Sequence, residues 1–477
     1  MLQLFVMIIV KCIQSVFAYD WLILCQYKEQ VITMKAHPFS GGVHPLQASH
    51  HGKTLSNGSA IAVMPAPDVV VIPMVRVTGA PCTPLVKKGD SVKLGQCIGR
   101  SDSFVSAPIH ASVSGTVTAV ENRPHPTGKN LVLSVVIRND HLDTKDDSYA
   151  PPENVDTLSG PELISIIREK GIVGLGGATF PTHVKLSIPK DKKVDVLIAN
   201  GAECEPYLTA DDRLLQEYSA GVIGGMQFVM RALNVTRAHV GIETNKPRAI
   251  RSMREAAKGT PIDICPLRVK YPQGGEKQLI YAITGREVPS GGLPADAGCV
   301  VLNVGTCNAI YEAIALGKPL FERVVTVTGG GVNSPGNILA RIGTSFRDCI
   351  AFCGGVKEDT RKILSGGPMM GVAQYTDEVP VIAGTSGILV LSGKEAHVPP
   401  PSPCIHCGRC YQVCPAGLQP YIISAAVDRG DAAQAALFHA LDCVECGACA
   451  FICPAHRQLL QSMRLAKMKV RGVTAKK

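Results

Sequence analysis

The sequence of 477 residues contains one tryptophan, and aromatic residues make up only 5% of it. So few aromatic side chains argue against a stacking platform for single-stranded nucleic acid. Charged residues are also scarce at 18%, whereas hydrophobic residues reach 46%, and this balance excludes disorder of the whole chain. The net charge is +9, but no long block of Lys and Arg is present, so we expect no nucleic-acid partner.

Long apolar runs are absent after residue 34, since none reaches the ~18 residues that a membrane-spanning helix needs. Near the amino terminus a shorter apolar run, Leu2 to Val10, ends at Lys11. This region lacks the basic segment of a signal peptide, although Val16-Phe17-Ala18 resembles a cleavage site. We interpret residues 1–33 as a start extension ahead of Met34, with a weak anchor or signal as the alternative. The rest of the chain is expected to be soluble or peripheral.

The first long segment, residues 34–145, is rich in Val, Gly and Pro and alternates short β-type runs with turns. The turn at Lys87-Lys88-Gly89-Asp90 resembles that of barrel-sandwich domains of the biotinyl and lipoyl type. Those carriers modify a lysine at a hairpin tip, and no lysine lies between Ser101 and Glu121. We therefore expect a barrel-sandwich-like β-domain with a structural role.

Three further segments differ in pattern. Residues 150–321 alternate apolar strand patterns, such as 194–199 and 238–242, with amphipathic helices, which favours a mostly parallel, Rossmann-like sheet. Residues 322–396 are strand-rich and resemble a soluble-ligand-binding β-grasp module. A proline-rich spacer then introduces residues 397–477, which contain two cysteine runs. The expected fold class is thus multidomain, α/β plus β, with a C-terminal helical dicluster ferredoxin domain.

Eight of the 18 cysteines form two runs with the spacing C-x2-C-x2-C-x3-C, each followed by proline. This spacing is typical of bacterial ferredoxins and predicts two [4Fe-4S] clusters. Zinc ribbons usually group their ligands in pairs, so a zinc interpretation is disfavoured. In two-cluster ferredoxins the fourth cysteine of each run ligates the other cluster. The predicted ligand sets are therefore Cys404, Cys407, Cys410 and Cys453 for one cluster, and Cys443, Cys446, Cys449 and Cys414 for the other.

A second set of motifs lies in the α/β segment. The loop Gly174-Leu175-Gly176-Gly177 precedes Lys185, and glycines of this kind let backbone N–H groups approach a phosphate. Asn200 to Pro206 follows a predicted strand, and α/β sheets bind ligands at the carboxyl ends of their strands. Tyr271 to Lys277 and Asn303 to Thr306 complete the set.

These four motifs resemble the flavin- and NADH-binding subunit of respiratory complex I. The resemblance implies an FMN site that also receives NAD(H), with Glu205 as the catalytic candidate on the nicotinamide side. It implies that the following residues bind these cofactors: Gly174, Gly176, Gly177, Lys185, Asn200, Glu203, Cys204, Gly274, Glu276 and Asn303.

The order of modules from residue 34 onward resembles the C subunits of Rnf-type ion-translocating ferredoxin:NAD oxidoreductase complexes. The resemblance implies an oxidoreductase subunit on the cytoplasmic face of the bacterial inner membrane. Its implied partners are integral membrane subunits, iron–sulfur subunits and ferredoxin or an equivalent carrier. Two alternatives stay open: a soluble corrinoid reductase with the same modules, and an electron wire without flavin. The second is motivated by Val173 and Leu175, which stand where the complex I relatives have arginines.

Overall fold

A computed structural model describes residues 36–45, 52–128 and 131–474; the expectation for residues 1–33 lies outside them. Between residues 62 and 139 the described chain forms short strands that build two small antiparallel sheets, ordered β2-β8-β7-β4 and β3-β5-β6. Their facing sides bury one apolar core that includes Val70, Ile98 and Ile137. This is the expected barrel-sandwich domain. The segment begins with β1 (Ala62–Val63), which belongs to neither of these sheets, and the strands of the domain are β2 (Val69–Pro73), β3 (Thr83–Pro84), β4 (Ser91–Val92), β5 (Cys97–Arg100), β6 (Ile109–His110), β7 (Gly115–Arg123) and β8 (Val132–Asn139).

Two features of this domain depart from the sequence pattern. Strand β2 ends at Pro73 although the apolar run continues to Val77, because the chain turns there and the Val77 N–H donates to the Thr179 hydroxyl at 2.8 Å. Strand β1 leaves the domain and pairs in parallel with a strand near residue 338. Both contacts join the β-domain to later segments.

The α/β segment contains a four-stranded parallel sheet ordered β11-β10-β9-β12. The predicted strand 194–199 is observed two residues later, because the Asn200-Gly201 pair continues the ladder with both neighbours. Helices cover the sheet and bury residues such as Leu163, Ile167 and Val240 completely. The strands are β9 (Val196–Gly201), β10 (Arg237–Glu243), β11 (Ile262–Leu267) and β12 (Cys299–Asn303); the helices are α1 (Gly160–Glu169), α2 (Thr182–Leu186), α3 (Ala210–Glu217), α4 (Ser219–Leu233), α5 (Pro247–Ala256), α6 (Glu276–Thr284) and α7 (Val304–Ala315).

The next segment adds a mixed sheet ordered β1-β14-β13-β17-β15-β16, so the early strand β1 forms one edge of it. Phe346 fills its core and is fully buried. This is the expected β-grasp module. Its elements are β13 (Glu322–Thr328), β14 (Gly336–Arg341), α8 (Phe346–Phe352), β15 (Thr360–Ser365), β16 (Val372–Ala373) and β17 (Gly387–Ser392).

The C-terminal segment is helical, and its apolar core includes Ile423, Ala440 and Met463. Between the two cysteine runs of this domain, which was expected to be helical, the chain forms two helices and a 3-10 turn. Within the ranges that the structure describes, no helix has both the length and the hydropathy required to cross a bilayer. The helices are α9 (Arg409–Gln412), α10 (Pro420–Asp428), α11 (Ala432–Leu437), α12 (Ala448–Phe451) and α13 (Leu459–Thr474).

Candidate functional site

The parallel sheet has a topological switch point between β9 and β12. From β9 the chain continues to β10 on one side, whereas β12 is added later on the other side. Asn200 and Asn303 are paired at the carboxyl ends of these two strands. Ligands of open α/β sheets bind outside the carboxyl ends of the strands at such a point. The fold therefore places two sequence-predicted residues at the position where a cofactor is expected.

The glycine loop lies over this position. The Leu175 N–H donates to the Thr306 hydroxyl at 2.9 Å, which joins the loop to the first turn of α7. A Cβ added to Gly176 would lie 3.4 Å from the Asn303 Cβ, whereas a Cβ at Gly177 would meet nothing within 4 Å. Gly177 has φ +112°, a conformation that side chains other than glycine rarely adopt. The loop thus presents bare backbone to open space beside the start of a helix.

The remaining motifs approach the same edge. The Asn200 amide donates to the Gly274 carbonyl at 2.8 Å, and the Gly274 N–H donates to the Cys204 sulfur at 3.2 Å. The Asn303 side chain caps α7 by accepting from the Gly305 N–H at 2.9 Å. Four sequence-predicted residues, from three separate motifs, therefore lie together at this edge of the sheet. We call this edge, with the glycine loop over it, the switch-point cleft, and we call these residues its rim.

Lys185 and Glu276 form an ion pair of 2.5 Å at this rim. The Lys185 ammonium also donates to the Val301 carbonyl of β12 at 2.9 Å. Glu276 is the first residue of α6, where the helix dipole favours a negative charge. The pair joins the glycine-loop side of the cleft to the Gly274 side.

Glu203 has both carboxyl oxygens engaged by α3. They accept from the N–H groups of Asp211 and Asp212 at 2.7 and 3.2 Å. Burial raises the pKa of this carboxyl to about 7, although the two N–H groups favour its charged form. The two donated bonds fix the Glu203 carboxyl at the start of α3. The structure thus gives Glu203 a capping contact that the sequence analysis did not foresee.

A buried lysine fixes the backbone of the 203–208 loop through hydrogen bonds. The Lys53 ammonium donates to the carbonyls of Glu203, Glu205 and Leu208 at 2.7, 3.0 and 2.6 Å. Its side chain is 5% exposed, and burial lowers its pKa. Lys53 is about 150 residues away in the chain and was not among the predicted site residues.

Glu205 and Cys204 are partly buried in the same loop. The Glu205 carboxylate accepts from the N–H groups of Met369 and Met370 at 2.7 and 3.1 Å. Burial raises the pKa of Glu205, and it raises the pKa of the Cys204 thiol to about 12. The loop therefore connects the parallel sheet to the β-grasp module.

A buried arginine also supports the glycine loop, although the loop itself carries none. The Arg323 guanidinium, on β13, donates to the carbonyls of Leu175 and Ala383. Burial lowers its pKa to about 10. A positive charge thus lies behind the loop, supplied from the neighbouring module, and the sequence offered no local signal for it.

The eight clustered cysteines surround two cavities. The first, which we call the far cavity, measures about 170 Å³ and is lined by Cys404, Cys407, Cys410 and Cys453. The second, the near cavity, is smaller at about 20 Å³ and is lined by Cys414, Cys443, Cys446 and Cys449. Each cavity thus takes three cysteines from one run and the fourth cysteine of the other run.

The two runs repeat the same backbone conformations. Gly408 and Gly447 have φ +72° and +76°, and each precedes a short helix. His406 and Glu445, two residues earlier, have φ +54° and +56°. The chain therefore wraps around both cavities in the same way.

The near cavity lies against the parallel-sheet segment. The Gln278 amide donates to the Pro415 carbonyl at 3.4 Å, and the Gly42 N–H donates to the Val413 carbonyl at 2.8 Å. A Cβ on Gly41 would come within 2.7 Å of the Cys414 carbonyl. Only glycine permits this approach, which gives a role to the glycine pair near residue 41.

The donor set of each cavity fits a cubane cluster. Four thiols line each cavity, and four cysteine thiolates are the ligand set of a [4Fe-4S] cluster. In the described ranges, no three His, Cys, Asp or Glu side chains converge closely enough to hold a single metal ion. The switch-point cleft, with its exposed backbone and its glycines, fits a phosphate-bearing flavin. The fold and the two sites define a flavin and iron–sulfur electron-transfer protein.

Comparison with known families agrees with this class. Residues 37–142 match the family described as the RnfC barrel sandwich hybrid domain, and residues 167–312 match the Nuo51 FMN-binding domain. Residues 324–373 match the SLBB domain, and residues 403–457 match a 4Fe-4S dicluster domain.

Curated relatives are similar over most of the chain. The C subunit of the proton-translocating ferredoxin:NAD(+) oxidoreductase complex of Clostridium ljungdahlii is 52% identical over 81% of this chain and 83% of its own length. The C subunit of the Na(+)-translocating complex of Acetobacterium woodii is 48% identical over 92% of this chain and 98% of its own length. The chain belongs to the family of C subunits of ion-translocating ferredoxin:NAD oxidoreductase complexes.

Membership of this family confirms several expectations. The chain is an electron-transfer subunit of a membrane-associated oxidoreductase complex, with an FMN-binding domain and a 4Fe-4S dicluster domain.

Among solved structures, an NAD+-reducing [NiFe]-hydrogenase in its H2-reduced state is similar, with a TM-score of 0.47 and 17% identity over 68% of this chain and 67% of that chain.

Proposed function

We propose that this protein exchanges electrons between NAD(H) and two [4Fe-4S] clusters through FMN bound at the switch-point cleft. FMN, when bound, converts the two-electron hydride chemistry of nicotinamide into the single electrons that clusters accept. The observation that carries the proposal is one apolar cluster, in which Cys204 of the cleft loop packs with Tyr271, Met369 and Cys446 of the near cavity. A buried apolar cluster therefore links the cleft loop to the near cavity.

Different residues of the cleft would contact different parts of the flavin. Backbone N–H groups of Gly176 and Gly177 would approach the phosphate, with the α7 dipole supporting its charge. The Gly174 N–H donates to the Phe180 carbonyl at 2.9 Å, so Gly174 would contribute by closing the loop and not by donating to the phosphate. Asn200, Gly274 and Asn303 would form the rim, and the Lys185–Glu276 pair would fix its width. Glu203 and Cys204 would shape the loop, and Glu205 stays our candidate for the nicotinamide side.

The cysteine sets would act as ligands in the crossed arrangement. Three thiols of one run and the fourth of the other line each cavity, which supports this assignment. The near set would face the flavin, because its cavity contacts the parallel-sheet segment. The far set would face a partner, because Cys404 and Cys407 lie at the surface with Ile405, which is 67% exposed.

The surface of the far cavity suits an acidic electron carrier. His406 and Arg409 are exposed beside it, and Arg457 is half-buried. Apolar contact at Ile405 and Tyr411 beside the exposed Arg409 guanidinium is a pattern that favours an acidic redox protein, although the Arg457 guanidinium is already paired with Asp428 at 3.2 Å. We propose ferredoxin or an iron–sulfur subunit as this partner. The whole protein would be peripheral, on the cytoplasmic face of the inner membrane, held there by integral membrane subunits.

The domain division that we propose follows the sequence: 34–145, 150–321, 322–396 and 397–477. The Arg323 and β1 contacts cross these boundaries, so the modules support one another across them.

A substitution at Gly177 tests the flavin site. In Gly177→Val the side chain would occupy the open space beside the loop, so flavin retention and NADH-driven reduction of an artificial acceptor should be lost. Iron content should stay unchanged. Gly89→Val is a matched control, because Gly89 also has positive φ, +95°, and open space around its Cβ position, but it lies in the β-domain.

The comparison separates backbone strain from occupation of the cleft. If Gly177→Val kept wild-type flavin content and activity, the flavin site would lie elsewhere. If Gly89→Val lost flavin to the same extent, strain alone would explain both results and the assignment would fail.

A further inference from the structure

Tyr271 connects the cleft loop to the near cavity. Its side chain is 2% exposed, and its hydroxyl donates to the backbone carbonyl of Cys446 at 2.6 Å. The Glu205 carboxylate accepts from the Met369 N–H at 2.7 Å, and Met369 packs in the same buried cluster as Tyr271. Tyr271 therefore lies beside the residue that holds the nicotinamide-side candidate, and it bonds the backbone of a cysteine assigned to the near set.

The Cys446 carbonyl has an apolar environment. Cys446 belongs to the same buried apolar cluster as Val43, Met369 and Ala448. A carbonyl oxygen carries partial negative charge, and an iron–sulfur cluster gains negative charge on reduction. A hydrogen bond donated to this oxygen offsets part of its negative charge and therefore favours the reduced cluster. Hydrogen bonding and burial both affect the reduction potential of a cluster.

The far cavity has no equivalent bond in the part of the chain that the structure describes. Cys407, which corresponds to Cys446 in the first run, is exposed. Tyr421 lines the far cavity, but its hydroxyl donates to the Gln419 side chain at 3.3 Å, not to a cysteine carbonyl. The two runs share the same backbone conformations, yet only the second run receives a hydrogen bond from a tyrosine hydroxyl on a cysteine carbonyl in the part of the chain that the structure describes.

We propose that Tyr271 is a positioning residue that fixes the Cys446 peptide and raises the reduction potential of the near cluster relative to the far cluster. The inference rests on the proposed function for the identity of the clusters. It goes beyond that function because it explains, by one phenol, a difference in reduction potential between two clusters whose cysteine motifs have identical spacing.

The test is a redox titration of the full chain carrying both clusters, followed by electron paramagnetic resonance with chemical mediators. In Tyr271→Phe the near-cluster potential should fall, and the far-cluster potential should not change. The partition of an electron between the two clusters should move by about tenfold toward the far cluster, the size that one buried hydrogen bond supplies. Tyr281→Phe, on α6 and outside this buried cluster, should leave both potentials unchanged.

Glu205→Gln separates the phenol from the carboxyl. It keeps the hydroxyl bond to Cys446 and removes a negative charge, so the near-cluster potential should stay or rise. Unchanged potentials in Tyr271→Phe at full iron content would overturn the proposal, as would an equal fall in Glu205→Gln. Because the titration uses no NADH, failure of NADH to reduce wild-type flavin would refute the proposed function separately.

Discussion

Crossed ligation of the two clusters can be tested with pairs of double variants that remove the same number of thiols. Cys404 and Cys453 line one cavity although 49 positions separate them, whereas Cys414 of the first run lines the other. Cys404→Ala combined with Cys453→Ala therefore removes two ligands from the far set and none from the near set. Cys404→Ala combined with Cys414→Ala removes one ligand from each.

The expected magnitude follows from the number of irons. A chain with two [4Fe-4S] clusters holds about eight irons, so the Cys404/Cys453 double variant should keep about four, in an intact near cluster. The Cys404/Cys414 variant should damage both clusters and fall below that value. Iron analysis and electron paramagnetic resonance provide the two readouts. Cys97→Ala with Cys353→Ala, away from both cavities, controls for the loss of two thiols.

Self-contained runs would give the reverse pattern. In that case the Cys404/Cys414 variant would keep one complete cluster from residues 443–453, and the Cys404/Cys453 variant would lose a ligand from each cluster. An intact cluster in the former and none in the latter would refute the crossed assignment.

Three further predictions concern stability and location. Lys53→Met leaves three loop carbonyls without their donor, but it also removes the cost of burying the ammonium. We therefore expect the free energy of unfolding, measured by thermal unfolding, to fall by about 2–3 kcal/mol, and the flavin content to fall as well. Unchanged flavin content would contradict the role of Lys53. Arg286 holds the pKa of Asp195 at about 2, below its usual 3.8. The ion pair therefore stabilises the folded protein above pH 3.8, and this stabilisation is lost as the pH falls toward 2. Asp195 is one-third exposed, so the effect is about 1 kcal/mol or less, and Asp195→Asn should flatten this part of the stability profile; an unchanged slope would argue against the pair. A chain beginning at Met34 should not sediment with lipid vesicles, and sedimentation would count against peripheral attachment through partner subunits.

The cluster motifs and the strand ends at the cleft can be recognised in the sequence because both depend on local patterns. Cysteine spacing and the trailing proline are read within twelve residues, and the paired cavities agree with the crossed ligand sets. Asn200 and Asn303 each follow an apolar run, so their place at strand ends could be expected. The order of strands, which creates the switch point, came only from the structure.

The supporting residues could not be predicted, because their contacts are distant in the chain. Lys53 resembles an ordinary surface lysine in its polar segment, yet its ammonium is buried under a loop about 150 positions away. Arg323 supplies charge behind a loop that lacks its own arginines, from 148 positions away. Glu203 follows a strand as a ligand-binding residue would, but its carboxyl caps α3. Long-range pairing decides these roles, and no local pattern reports it.

The most direct test of the account is an anaerobic NADH titration of the purified chain, before and after removal of its flavin. The account predicts that the protein retains FMN, that NADH bleaches the flavin absorbance, and that flavin-stripped protein shows no NADH-dependent reduction until FMN is restored. If the purified protein held no flavin and did not bind added FMN, the chain would be an electron wire. If NADH reduced the clusters without flavin, the switch-point cleft would not be the entry site.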